Sequence, residues 1–254
     1  MRWDEQTSVA FSAIPRETPV ILPIAATEQH GPHLPLGTDR IIVDHLTTAV
    51  DLVMRERVLV LPTVQVGYSA HHDDLPGTLS VRHETLLAQI TNLVASVFEQ
   101  GFTTVLILNG HGGNQSIGNV ALEQVGVSHP CHRIIFTSWW QVAQPELLQI
   151  SESGPGGVGH ACELETSLVL DIAPLLVDVS AIPARMYFPH FDWNGADMLR
   201  GSRARMFERH SALSPNGVMG EPTLASAAKG RDVTEAVVKQ LVAIVESLYE
   251  TPAR

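Results

Sequence analysis

The chain has 254 residues, 44% of them hydrophobic, and a formal net charge of -11 at pH 7. That is enough apolar content for a full core, and no break in composition divides it, so a single domain over 1–254 is expected. Only two lysines occur, Lys229 and Lys239, and so acidic a chain does not track a phosphate backbone, which excludes nucleic acid as a partner. The first twenty residues mix charges and hold no apolar core of a signal peptide, and no run reaches transmembrane length. Two cysteines, Cys131 and Cys162, fit neither a disulfide framework nor a zinc knuckle. The expectation is a cytoplasmic protein without a membrane partner.

In chain order, the apolar runs at 20–26, 58–64, 103–108 and 133–137 are short, rich in Val, Ile and Leu, and do not alternate. Strands buried on both faces read this way. Between the second and third, Leu86, Leu87, Ile90, Leu93, Val94, Val97 and Phe98 recur at helical spacing, with Ser80 as a cap and Gly101 as a stop. A second apolar helix face, Val237, Val238, Leu241, Val242, Val245 and Leu248, closes the chain. Strand and helix alternate, so the fold class is α/β with a mostly parallel sheet between helical layers. The Gly- and Ser-rich segment 151–159 is short and reads as a mobile active-site loop.

The stretch TEQHGPHLPLGTD at 27–39 follows the first strand directly. Ligands of an open parallel sheet bind outside the carboxyl ends of its strands. Glu28 and His30 are two residues apart, so in extended chain both face one way; Gly31 and Pro32 turn the chain, and Asp39 can return to the same crevice. The third strand runs into NGHGGN, which delivers His111 to another strand end. Its glycines lack the spacing of a phosphate-binding loop. The segment GHACELETS supplies His160, Glu163 and Glu165, and if it is helical after Ala161 at most one of the two glutamates enters the site.

Imidazole with carboxylate suits Zn²⁺, Mn²⁺ or Fe²⁺. Two histidines with two or three carboxylates exceed what one open catalytic zinc takes and fit a pair of ions about 3.5–4 Å apart sharing a carboxylate. Such a pair ionises water and polarises a carbonyl, which describes hydrolysis. Ser69, His71 and His72 follow a strand and line the pocket, although His71 and His72 can equally stiffen their loop. Trp139 and Trp140 form an aromatic wall for a substrate, or one of them packs in the core. Glu221 caps a turn near the site. Elsewhere the plainer interpretation holds: His129, Cys131 and His132 form a loop, His83 is exposed in the first turn of a helix, and His190 and His210 have no identifiable partner.

The motifs at 27–39, HHDDLPGTLS, NGHGGN, GHACELETS and GVMGEPTLASAAKG occur in one order over 23–230, and together they resemble the creatininase (creatinine amidohydrolase) family. The resemblance implies a three-layer α/β/α fold, two divalent ions per chain (Zn²⁺ first, Mn²⁺ or Fe²⁺ otherwise), and assembly into homo-oligomers, commonly hexamers. It implies that Glu28, His30, Asp39 and His111 are metal ligands, with Asp39 as the bridge, and that His160 is the catalytic histidine that shuttles a proton to the leaving nitrogen. Creatininase proper has a glutamate two residues beyond the histidine of the NGH loop, where this chain has Gly113. Glu165 is the candidate replacement and Glu163 the reserve. The implied reaction is hydrolysis of a C–N amide bond in a small, polar, possibly cyclic molecule. Hydrolytic opening of an oxidised inositol, trimming of a peptide in redox-cofactor maturation, and a non-catalytic metal-binding scaffold are the alternatives.

Overall fold

The structure is a computed structural model that describes residues 1–184, 191, 193–195 and 197–250; His190 lies outside them. The chain opens with a short helix α1 (Ser8–Ser12) and enters β1 (Val20–Ile24). There follow α2 (Thr38–Met54), β2 (Leu59–Val60), α3 (His83–Glu99) and β3 (Thr104–Asn109). Next come α4 (Gln115–Ser128), β4 (Arg133–Ser138) and the short helices α5 (Trp139–Val142) and α6 (Gln144–Ile150). The remaining elements are β5 (Val158–His160), α7 (Glu163–Ile172), α8 (His210–Leu213), β6 (Met219–Gly220) and α9 (Ala227–Glu250).

Four strands form one parallel sheet in the order β2-β1-β3-β4. Every residue of β1, β2 and β3 is buried, as the non-alternating apolar runs require, whereas β4 at the edge is half-buried. The second strand is shorter than its apolar run because Pro62 has no N–H to give to a ladder; pairing resumes only at the isolated bridge between Ile24 and Val64. Two separate apolar clusters cover the sheet faces. One joins Ile21 and Leu106 to Leu46 of α2, Leu168 of α7 and Leu241 of α9. The other joins Leu22 and Ile107 to Ile90 of α3 and Ala121 of α4. This is the expected three-layer α/β/α arrangement.

The helices form where the apolar spacing places them. Leu86, Ile90, Val94 and Val97 give α3 a buried stripe, and Val233, Val237, Leu241 and Val245 do so for α9. Ser80 does not cap α3, contrary to expectation: the cap position is Arg82, and the Ser80 hydroxyl accepts from the Ser69 amide at 2.9 Å. Gly101 does end that helix, at φ +92 with its N–H on the Phe98 carbonyl. No helix among the described residues is long and apolar enough to cross a membrane.

The segment expected to be a mobile loop is tied down. The Ser151 hydroxyl and the amides of Glu152 and Ser153 all donate to the Glu163 carboxylate, at 2.8, 3.0 and 3.1 Å, and the Gly156 amide donates to Asp197 at 2.7 Å. It then leads into β5, which pairs antiparallel with β6. This small sheet carries His160 over the carboxyl end of the parallel one.

Candidate metal centre

Two strand ends and one helix start converge on a single point. Glu28 and His30 leave β1 fully buried, and Asp39 sits in the first turn of α2, 1% exposed. His111 follows β3, its main chain locked by Asn109, which accepts from the His111 amide at 3.0 Å and donates to the His111 carbonyl at 2.8 Å. His111 Nδ1 lies 3.2 Å from Glu28 Oε1 and 3.3 Å from Asp39 Oδ2, and His30 Nε2 lies 3.1 Å from Asp39 Oδ1.

The second nitrogen of each ring decides what the first can do. His111 Nε2 is 2.9 Å from the Tyr68 carbonyl and His30 Nδ1 is 3.2 Å from the Glu28 carbonyl. A carbonyl only accepts, so both of those nitrogens carry protons, and in the neutral rings the nitrogens facing the carboxylates are bare. Metal-ligating histidines are oriented in this way. Both Glu28 carboxylate oxygens, Asp39 Oδ2 and His30 Nε2 are buried without a hydrogen bond of good geometry, an expensive arrangement unless a cation is held there. Burial alone would lower the His30 pKa, but Asp39 outweighs it and lifts the imidazole to about 9. Burial likewise opposes charge on His111, and Glu28 and Asp39 raise it well above the usual value. Burial disfavours the Asp39 anion too, yet His30 and His111 hold its pKa below the usual carboxylate range. The pocket stabilises positive charge, and its residues fit divalent ions.

Around this point lies a cavity of about 130 Å³, lined among others by Glu28, Asp39, His111, His160 and Glu165. His160 ends β5, next to Ala161, whose φ of +49 is rare for a residue with a side chain. Its Nδ1 is 3.6 Å from Glu28 Oε1. Burial, followed by the charge on His30, lowers its pKa well below the usual value, so the ring is neutral. Glu163 and Glu165 do face different ways. Glu165, 4% exposed, borders the cavity close to His30 and His160, and its Oε2 accepts from the Cys162 amide at 3.3 Å to cap α7. Burial pushes its pKa up to about 7, with His30 opposing and Asp39 reinforcing the rise. Glu163 turns away to Lys229 and is not near the cavity.

The loop after the second strand does more than stiffen itself. Ser69 Oγ is 3.3 Å from His111 Nε2, the His71 ring stacks at 5.6 Å and 11° on His111, and His72 Nε2 is 3.5 Å from Glu28 Oε1. Trp139 needs correction as a substrate-wall residue: it is fully buried in the core beside α9. Trp140 instead lines an outer chamber of about 360 Å³, which shares Gly112, Met198, His210 and Met219 with the inner cavity. His210, expected to stand alone, lies with its ring 3.7 Å from that of His72 and 5.3 Å from that of His160. No local spacing announces it, since 49 residues or more separate it from both partners. His83 is exposed, as expected, and stacks on Tyr68 at 3.7 Å, and the Glu221 carboxylate accepts from the Thr223 hydroxyl at the turn after β6.

Gly113 leaves no room for the glutamate of creatininase proper. A Cβ there would stand 2.2 Å from the Tyr68 carbonyl oxygen and 2.4 Å from His111 Nε2. The cavity has filled that side with backbone and imidazole.

Comparisons with known proteins bear on the fold and the family. The family profile for creatinine amidohydrolase matches residues 4–245. The 3-dehydro-scyllo-inosose hydrolase of Thermotoga maritima is 28% identical over 91% of this chain and 78% of its own. The mycofactocin precursor peptide peptidase of Mycobacterium tuberculosis is 30% identical over 94% of this chain and 89% of its own. Two solved creatininases, one described with Mn and one, a mutant, as a Zn-Zn type, share the fold at a TM-score of 0.82, with 22% identity and 97% of both chains covered. A profile spanning nearly the whole chain places this protein in the creatininase family.

Proposed function

We propose that this chain is a metal-dependent hydrolase that cleaves a C–N amide bond in a small, polar, possibly cyclic molecule. The observation that carries the reading is the set of buried, unsatisfied carboxylate oxygens, both of Glu28 and Oδ2 of Asp39, faced by histidines whose outer nitrogens are committed to backbone carbonyls. In this reading Glu28, His30, Asp39, His111 and Glu165 would hold two divalent ions, Zn²⁺ in first place and Mn²⁺ or Fe²⁺ otherwise, and Asp39, which faces both His30 and His111, would be the shared ligand. When bound, the ions supply Lewis-acid polarisation and ionise water near neutral pH.

The chain's own residues do the rest. His160 donates Nε2–H to the Gln29 main-chain oxygen at 2.7 Å, which leaves Nδ1 towards the cavity. It takes the proton of the attacking water there and returns it to the departing nitrogen. The 130 Å³ cavity admits the scissile group, and the outer chamber with Trp140 receives the remainder of the substrate. Ser69 meets the outer nitrogen of His111, and the His71 ring, itself on the cavity wall, stacks on that of His111. The protein acts in the cytoplasm as a homo-oligomer, a hexamer by analogy with creatininase, on a small molecule and without nucleic acid or membrane.

Opening of an oxidised inositol is the second reading, favoured by the similarity to the inosose hydrolase over 91% of the chain; the similarity to the peptide peptidase keeps peptide trimming in the same panel. The test is elemental analysis followed by turnover of cyclic amides, inososes and short peptides, before and after chelation. About two ions per chain, with turnover abolished by chelation and restored by Zn²⁺ or Mn²⁺, is the expected result. One ion or none in the purified protein would overturn the two-ion site. No turnover of any of the three substrate classes by the fully loaded protein would favour the scaffold alternative.

A further inference from the structure

Gln29 stands between Glu28 and His30, and in extended chain its side chain points away from theirs. It is 6% exposed and lies against two histidines of the cavity. Its orientation is not ambiguous: Oε1 accepts from the Gly31 amide at 2.9 Å, so Nε2 is the atom turned to the rings. That nitrogen is 2.8 Å from His72 Nδ1 and 3.4 Å from the Gly217 carbonyl. An amide nitrogen only donates, so His72 Nδ1 must be the acceptor. The neutral His72 ring therefore carries its proton on Nε2, the atom 3.5 Å from Glu28 Oε1.

The same residue sets His160 through its backbone, so that the bare nitrogen of that ring, not its N–H, is turned to Glu28. The Gln29 main-chain oxygen, 2.7 Å from His160 Nε2, requires the proton on that atom. The 3.1 Å approach of Gln29 Nε2 to His160 Nε2 is then a contact between two donors, and the second amide proton belongs to Gly217. His160 Nδ1 is left bare, 3.6 Å from the same Glu28 Oε1 that His72 Nε2 faces. Gly217 is part of the device: at φ +78, a Cβ on it would stand 2.0 Å from Gln29 Oε1.

We propose that Gln29 is a positioning residue that fixes the tautomers of two histidines at once, making His160 the proton acceptor of the site and His72 its N–H donor. Hydrolysis needs both: a base for the proton of water, and a donor for negative charge developing on the carbonyl oxygen. Left to itself, each ring would also populate the other tautomer, and in those molecules its role would be lost. This inference rests on the hydrolytic reading of the site, and its main test does not use activity.

The test is the ring-nitrogen spectrum of Zn²⁺-loaded protein labelled with ¹⁵N-histidine, with His72→Asn and His160→Asn spectra to identify the two residues. The expected wild-type result is a protonated Nε2 and a bare Nδ1 in both rings. Gln29→Glu keeps the acceptor for the Gly31 amide but puts a second acceptor against His72 Nδ1. It should move the His72 proton to Nδ1 and leave His160, held by the main chain, as it was. Gln29→Met, which removes the donor without adding an acceptor, should give a mixture at His72. A wild-type His72 protonated at Nδ1, or a His72 signal indifferent to both substitutions, overturns the proposal. With a substrate from the panel above, Gln29→Glu should lose about 10²-fold in kcat and Gln29→Met, which leaves part of the His72 population in the competent tautomer, only about two- to fivefold, with KM within about threefold and metal content unchanged in both. Loss of ions in parallel with kcat would mean that Gln29 only braces its neighbours, which also overturns it. Correct tautomers with no turnover of any substrate would instead sink the hydrolytic reading and leave the tautomer assignment standing.

Discussion

Two carboxylates in the first turn of α7, Glu163 and Glu165, lie two residues apart in two different regions. Glu163 is completely buried and saturated: it accepts from Ser151, Glu152 and Ser153 and pairs with Lys229, itself 7% exposed and bonded to the Leu224 carbonyl at 2.8 Å. Burial would raise its pKa, but the Lys229 ammonium and the three donors lower it. Glu165 is almost as deeply buried, but its one hydrogen bond among the described residues comes from the Cys162 amide, and burial carries its pKa up to about 7. A buried carboxylate with every lone pair answered by the protein is a structural clamp, whereas one left under-answered beside a cavity is available to an external cation.

Breaking the clamp should have the largest effect on stability. Lys229→Met leaves Glu163 as an uncompensated buried charge and should cost about 3–5 kcal/mol in denaturant unfolding, with the ion content unaltered. Adding Glu163→Leu to Lys229→Met should recover most of that loss, and failure to recover would show that the residues do more than neutralise each other. On the other side of the comparison, Glu165→Gln keeps an acceptor for the Cys162 amide. At pH 4.5, where Glu165 is protonated, it should change the stability of the metal-free protein by under about 1 kcal/mol, while at neutral pH the ion content falls from two towards one per chain. Two ions retained in that variant would remove Glu165 from the ligand set.

The third difference is in the pH dependence of the metal-free protein, where the two residues predict opposite slopes. Glu163, with a folded pKa below its ordinary 4.5, contributes stability that is present above pH 4.5 and lost as pH falls through the lowered value. Glu165, with a folded pKa of about 7 against 4.5, costs nothing below pH 4.5 and destabilises progressively as pH rises from 4.5 to 7. Subtracting the stability–pH curve of Glu165→Gln from that of the wild type isolates the second slope from the histidines that titrate in the same range. A flat difference curve would mean that Glu165 ionises in the folded chain as easily as in the unfolded one.

The sequence by itself determined the parallel sheet, the helical faces and the crowding of Glu28, His30, Asp39 and His111 at strand ends. Each of these is local: a non-alternating apolar run, a 3.6-residue period, or metal-capable side chains placed just past a strand. The exchange of roles between Glu163 and Glu165 was half legible, because helical spacing says that they diverge but not which one meets the cavity. Only the tertiary structure decided that, since Lys229 comes from 66 residues away. It also sent Trp139 into the core, brought His210 against His72, tied down the loop expected to move, and closed the space at Gly113 with the Tyr68 carbonyl. The proton positions on His72 and His160 belong to the same class. They depend on Gln29 reaching rings 43 and 131 residues along the chain, and a hydrogen bond between such distant residues leaves no periodicity or spacing in the sequence that announces it.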